Sequence, residues 1–555
     1  MVWHLFRKDV GLLWPFAAVL AIAQALNGIL HFILHQSLLT SLPFAYVTIL
    51  FPAVPLLGMA CLAVTVVQQD CLPGTTQDWL VRPVKRGELL LAKILFVSVM
   101  IHVPIALLDC TEAALSGFSI AGAMQAAVVR NVVLFAAVTS PALLLGAVTR
   151  SLAEALFFGG SLILGYTLVV LLLPELAPLS SPRGPVGLSW IPDTMAQIGI
   201  LVCAAMILLF QYLRRRTLAA RTFVAMASAP VIALSFLPFG ACFAVQQWLS
   251  PAGADSSRVE IGVVRDPSAR KRNVANANSA DAANWRRAFL RSHARLATPL
   301  EFPIRVGQLP RNSLLQADRI VLRLVGNDGR LLYQGVGDCA NASQGPGVEC
   351  VPGELEVMSS PDSSVDSRQL ILIPNTVYSR LRSQPLRVEI EYALTVSVGR
   401  PRITLGVNAA FRQLGGVGRC QTGIDDDGDE IDLTCASTQA PPSCITVILE
   451  DPKTGLHNPA MHQCGINYSP FIRNPYFDVL AHFRIGLPFS DASQLVHFPV
   501  DAAQIQGARV AITTYEPIAH FQRKSVIPEI RLSEWRAQDA IAASQTVSGS
   551  YRNMN

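Results

Sequence analysis

The sequence predicts a polytopic α-helical membrane domain of about seven spans, followed by a mainly β, sandwich-like extracytoplasmic domain. Three observations carry this reading. Apolar residues crowd into the first 250 of the 555 positions, and charged residues make up only 15% of the chain, against roughly 25% in a soluble protein. From about residue 301 the apolar pattern changes to period two, with β-branched and aromatic residues between turn sequences. The basic residues of the first half fall in alternate loops, as they do when cations stay on the cytoplasmic side.

Residues 1–14 read as an interfacial helix, with Trp3, Phe6, Val10, Leu13 and Trp14 at helical spacing and Arg7, Lys8 and Asp9 placed for headgroups or water. The helical domain covers 15–248. Its apolar runs are 15–35, 44–66, 92–109, 131–149, 152–173, 193–213 and 223–247, each near the length a bilayer requires. Backbone groups in lipid must bond within their own segment, so these runs are helices. Pro52, Pro55, Pro104, Pro141, Pro230 and Pro238 should kink or break them. The first run is long and lacks a small-residue cleavage site, so it is expected to be retained as a membrane helix.

Arg7 and Lys8, then Arg82, Lys85, Arg86 and Lys93, then Arg150, then Arg214, Arg215, Arg216 and Arg221 all fall on one side if seven helices are counted. The opposite loops hold only Arg130 and Arg183 as cations. That alternation places the N-terminus in the cytoplasm of a bacterial inner (plasma) membrane and the second half outside it.

Residues 249–300 are expected to form a linker, 301–535 the β domain and 536–555 a disordered tail of small and polar residues. Expected strands lie at 319–326, 368–375, 386–398, 445–451, 477–487 and 509–517. Six cysteines fall in this half: Cys339, Cys350, Cys420, Cys435, Cys444 and Cys464. An even set at such spacing is a candidate disulfide framework and asks for an oxidising compartment. Six cysteines allow about 15 pairings, and the sequence leaves the choice open.

Catalytic signatures are absent. There is no phosphate-cradling Walker loop, no H-E-x-x-H and no G-x-S-x-G. A net charge of +5 is small for this length and implies no nucleic-acid partner. The acidic run that includes Asp425, Asp427 and Asp429 is a candidate calcium loop, although its register does not match an EF-hand. His102, Asp109 and Glu112 lie in or at the end of the third apolar run. Ionisable groups there are candidates for a substrate path.

The loop 68–93 carries the remaining signal. Its residues Gly74, Asp78, Trp79, Leu80, Arg82, Pro83, Val84, Arg86, Glu88, Leu89, Leu90, Ala92 and Lys93 resemble the cytoplasmic loop of type-2 exporter-like ABC transporter permeases. In that family a pattern similar to G-T-x-x-x-L-x-x-P-[VI]-x-R-x-E-L-x-x-x-K joins the second and third spans. The run Phe6 to Pro15 resembles the interfacial helix of the same family. The resemblance covers about 15–250 and implies a permease subunit acting as a homodimer or heterodimer in membrane lipid. It implies that ATP is used by a separate ATPase subunit contacting Asp78, Trp79, Arg82, Pro83, Lys85, Arg86 and Glu88, with no cofactor in this chain. The family usually has six spans with both ends in the cytoplasm, so a seventh span and an exported β domain depart from it. The alternative expectation is a membrane-anchored extracytoplasmic binding or sensor protein without transport activity.

Overall fold

The computed structural model describes residues 1–34, 42–69, 85–176, 188, 190–214, 216–250, 259–263, 297–338, 349–350, 357–358, 364–415, 417–424, 430–438, 444–450, 461–464, 481–488 and 508–537. The chain divides into a helical half and a β-rich half. The helices are α1 (Val2–Leu34), α2 (Leu42–Gln68), α3 (Arg86–Val97), α4 (Val103–Leu115), α5 (Ile120–Leu134), α6 (Ser140–Val148), α7 (Leu152–Leu176), α8 (Trp190–Arg214), α9 (Thr217–Ser235) and α10 (Phe239–Leu249). Among the described residues six helices are long and apolar enough to cross a membrane, with Ala53–Gln68 of α2 a shorter apolar helix.

In the helical half two features differ from the sequence expectation. The interfacial helix and the first span are one unbroken helix, α1, with Pro15 inside it. The run 223–247 is not a single span. Helix α9 ends at Ser235, and Pro238, in extended conformation, precedes α10, because proline cannot continue a helix through its missing N–H.

The prolines in the third and fourth long helices act differently. Pro104 sits in the first turn of α4 and Pro141 in that of α6. Each is preceded by a π-helical turn, Ser98–His102 and Phe135–Thr139, where the amide of Val103 bonds Ser98 O and that of Ser140 bonds Phe135 O. A proline ring crowds the carbonyl four residues back, and widening the turn to the fifth residue relieves that crowding while the helix continues. Arg86–Leu115 and Ile120–Val148 therefore remain continuous rods. The following rod opens with a reciprocal cap. Glu154 N bonds Ser151 Oγ (3.2 Å) and Arg150 N bonds Glu154 Oε2 (2.6 Å), which satisfies donors a helix start leaves unpaired.

Among the described residues all the strand pairings are antiparallel, in three sheets. The first holds β1 (Glu260–Val263), β2 (Ala297–Gly307), β7 (Ser364–Pro374) and β5 (Glu349–Cys350) in that order. The second holds β10 (Arg412–Leu414), β11 (Gly418–Ile424), β12 (Glu430–Ser437) and β15 (Ala481–Pro488). The largest runs β14 (Met461–Cys464), β13 (Cys444–Glu450), β16 (Arg509–Ile530), β8 (Leu386–Gly399), β3 (Ser313–Gly326) and β4 (Leu331–Asp338). Beside this path β6 (Val357–Met358) pairs β3, and β9 (Ile403–Gly406) pairs β16.

Two separate cores show the packing. Phe302, Ile304, Ile371 and Ile373 of the first sheet meet Leu322, Ile390, Leu394 and Phe521 of the largest. Leu414, Cys420, Ile431 and Leu433 of the second sheet meet Val447, Val510 and Ile512. Strand β16 runs through both, so one long strand joins two sandwiches. The strand visible at 509–517 continues to 530 with two β-bulges beside its prolines: the register against β8 shifts between Pro517 and Ala519, leaving out Ile518, and between Ile527 and Ile530, where Pro528 lies. Proline enters a sheet at such irregularities because it has no ladder donor. The expected linker 249–300 contributes β1 and the start of β2, so the β half begins earlier than residue 301.

Candidate functional site

The helical half is dominated by paired charges that the sequence placed far apart. Asp9, from the first turns of α1, meets Lys93, from the last turns of α3. Lys93 Nζ donates to Asp9 Oδ2 at 2.8 Å, and each side chain is only 1% exposed. Helical spacing brings Lys93 onto the same buried face as Leu89, Ala92 and Phe96, which pack with Leu5, Phe6 and Leu13 of α1. A charge in such surroundings is tolerated beside its opposite and is costly alone. Asp9 belongs to the Phe6–Pro15 run and Lys93 closes the 68–93 loop pattern. The run Phe6–Pro15 and the end of the 68–93 stretch are therefore joined by a buried ion pair.

Of the expected loop contacts, Asp78, Trp79, Arg82 and Pro83 lie outside the described residues. Lys85 and Arg86 are exposed at the start of α3, and Glu88 is in its first turn, where a carboxylate favours the helix dipole. Arg86 donates to the backbone carbonyl of Leu213 near the end of α8. At the same end, Gln68 Nε2 bonds Thr149 Oγ1 (3.0 Å), and Arg221 bonds both Val148 O (2.8 Å) and Glu154 Oε1 (2.6 Å). Cations at Val148 O also meet the negative end of α6. One end of the bundle thus gathers the start of α3, the ends of α2, α6 and α8, and the starts of α7 and α9.

The three expected path residues lie along one rod, and the structure gives each a neighbour. His102, at the end of the first π turn, places Nδ1 2.9 Å from Asn131 Oδ1 and Nε2 3.1 Å from Thr139 Oγ1. Asn131 Nδ2 already donates to Ala127 O (2.9 Å), so its oxygen faces the imidazole and Nδ1 carries the proton. In the neutral ring Nε2 then accepts from Thr139. Asp109 forms a buried ion pair with Arg130 of α5. Glu112 approaches α1, where a Cβ at Gly28 would stand 3.3 Å from Glu112 Oε2. Partners Asp9, Arg130, Asn131 and Thr139 were not singled out from the sequence as members of these sites. The signal that could have found them is a polar residue inside an otherwise apolar helix face.

At the opposite end of the bundle the β half makes contact. Arg419 of β11 donates to Ser116 O, in the turn between α4 and α5. Arg319 lies 4.7 Å over the Phe239 ring of α10. Leu188, Ile191, Cys242 and Phe243 share a core with Ala393 of β8. Beside it, Gln246 Nε2 is 3.1 Å from His520 Nε2, His520 Nδ1 is 2.8 Å from Thr395 Oγ1, and Thr395 Oγ1 donates to Asp318 Oδ2 at 2.6 Å. Thr395 stands opposite His520 in the ladder, and two bulges flank it, with Asp318 and Ile518 as the extra residues. Bulges re-aim side chains, and here they converge on one threonine. Gln246 offers an N–H to Nε2, so the ring is held neutral with its proton on Nδ1. Burial pushes the His520 imidazole down to about 4.

Among the expected disulfide residues, Cys420 and Cys435 are bonded, with Cα atoms 4.1 Å apart. Cys339 lies outside the described residues, as do the side chains of Cys350, Cys444 and Cys464. Asp425, Asp427 and Asp429 also lie outside them. Among the described residues no group of three or more ligating side chains comes together. No family model, curated protein or solved structure matches the chain.

Removing one member of the α1–α3 pair strands a buried charge, so Lys93→Met should cost about 3–5 kcal/mol. The double variant Asp9→Leu with Lys93→Met should recover most of that loss, read by thermal unfolding of the detergent-solubilised protein. Equal loss in both would show that the pair has no special role.

A second expectation concerns pH. His520 is depressed in the folded state, so the unfolded chain binds the extra proton between about 6.5 and about 4. Stability of the β half should therefore rise with pH through that window, by up to about 3 kcal/mol. His520→Gln should remove this increment from the pH profile of chemical unfolding. An unchanged profile would contradict it.

Proposed function

We propose that the chain is the membrane permease subunit of an ABC-type export system, driven by a separate ATPase that docks on loop 68–93. The observation that carries this reading is the buried Asp9–Lys93 pair. A partner pressing on the loop would act on the start of α3. The ion pair would pass that displacement to α1, and the Arg86 contact to α8 would pass it further. Packed rods linked by discrete polar contacts can hold two arrangements rather than deform continuously.

The same contacts support one sidedness. The basic ends of α3, α8 and α9 are gathered at one end of the bundle, and Ser116, Leu188 and α10 meet the β half at the other. In a bacterial inner membrane this arrangement supports a cytoplasmic N-terminus and an extracytoplasmic β domain. The His520–Gln246 contact then makes that domain a receiver of helix motion. ATP is consumed by the partner, and a second permease copy completes the assembly. His102 and Asp109, each held by a neighbour on α5, and Glu112, which lies beside α1, are groups that would change surroundings as the rods move.

A second reading keeps the β half as the working part, a membrane-anchored binding or sensor protein. It is favoured by the independent cores of the two sandwiches.

The substitutions Asp78→Ala, Trp79→Ala and Arg82→Ala separate the two readings. In the permease reading a Walker-loop ATPase co-purifies with the wild-type chain, and the triple variant loses at least tenfold of ATPase stimulation while inserting normally into the membrane. Unchanged behaviour of the variant, or a solubilised complex lacking any ATP-binding subunit, overturns that reading.

A further inference from the structure

The ladder registers of the β half assign a second covalent bridge. In the sheet β10–β11–β12–β15, Cys420 and Cys435 are directly opposite residues of neighbouring antiparallel strands, and they are bonded. The same relation recurs in the largest sheet, where the register of β13 against β14 sets Cys444 directly opposite Cys464. Opposite residues in an antiparallel pair have Cα atoms about 4.5 or 5.5 Å apart, and disulfides span about 4.4–6.8 Å. Opposite residues also point to the same face of the sheet. On its other side Cys444 faces Tyr515 of β16. Cys350 lies in a different sheet, opposite Ile371 of β7, and Cys420 and Cys435 are taken by each other.

We propose that Cys444 and Cys464 form a cross-strand disulfide that staples β14, the edge strand of the largest sheet, to β13. Its formation is a thiol–disulfide exchange. One cysteine thiolate attacks an incoming disulfide, of a small-molecule disulfide or an oxidoreductase, and releases one thiolate. The second cysteine thiolate then displaces the mixed disulfide. Two protons and two electrons leave the cysteine pair, and the incoming disulfide is reduced to two thiols. The staple closes the segment between β13 and β14 and keeps β14 paired on β13, so that β13 is not itself laid open as an edge.

The bridge does not depend on the transport reading, and the test separates the two. Full-length protein is extracted from membranes with alkylation of free thiols, digested without reduction and mapped by mass spectrometry. A parallel sample is first equilibrated in glutathione/glutathione-disulfide buffer. The expected result in both is a peptide linking Cys444 to Cys464, lighter by about two hydrogens than the sum of its halves. Cys444→Ser should release Cys464 as one added alkylation site and leave the Cys420–Cys435 peptide intact.

A Cys444 linked to any other cysteine, or both thiols alkylated after equilibration, overturns the proposal. A link that forms in the buffer and is absent from cells keeps the pairing and overturns the oxidising-compartment reading instead.

Discussion

A charge enclosed by apolar helices needs its opposite within reach, and the helical half is arranged around that constraint. Asp9 and Lys93 meet across α1 and α3, and Asp109 and Arg130 across α4 and α5. The attraction between such partners is large where water is excluded, but so is the cost of removing their hydration. The pairs are therefore better understood as fixing one arrangement than as a net source of stability. They set the rotation of each rod about its axis, and that rotation decides which apolar faces meet. Helices α2 and α6 also approach closely. A Cβ at Gly146 would stand 2.8 Å from Val64 O, so only a residue without one fits there.

The same constraint orders the two ends of the bundle. Exposed cations collect where the ends of α2, α6 and α8 meet the starts of α3, α7 and α9, and where Arg221 and Arg86 cap backbone carbonyls. The β half touches the other end through α10 and the turn after α4. Its contact is specific in chemistry: a neutral imidazole accepts from Gln246 and donates to Thr395, whose hydroxyl donates to Asp318. Two bulges in neighbouring strands aim these groups, with Asp318 and Ile518 as the extra residues, while Pro517 beside the second stays opposite Ser397. Backbone irregularity and side-chain function thus have one cause.

Much of this was legible in the sequence. The apolar runs located most of the helices, because hydropathy over about 20 residues is a strong signal. Period-two alternation located β3, β7, β8, β13 and β15 closely. The reading failed where local and tertiary preferences compete. Pro15 did not divide α1, because a proline in the helix costs less than exposing backbone in an apolar setting. Pro238 did end a helix, where the chain turns to meet the β half. Strand β16 runs past two prolines with a bulge beside Pro517 and another at Pro528, and bulges have no period to read. Partners such as Asp9 with Lys93 are 84 positions apart, a separation at which only the packed structure brings residues together.

The central claim is that the basic end of the bundle and the β half lie on opposite sides of one membrane. The most direct measurement is a reporter fused after the last residue, Asn555, in two versions. One is a phosphatase that becomes active only in an oxidising compartment, and the other a fluorescent protein that matures only in the cytosol. The account predicts phosphatase activity and no fluorescence. Fluorescence with an inactive phosphatase would place the β half beside the basic loops and contradict it.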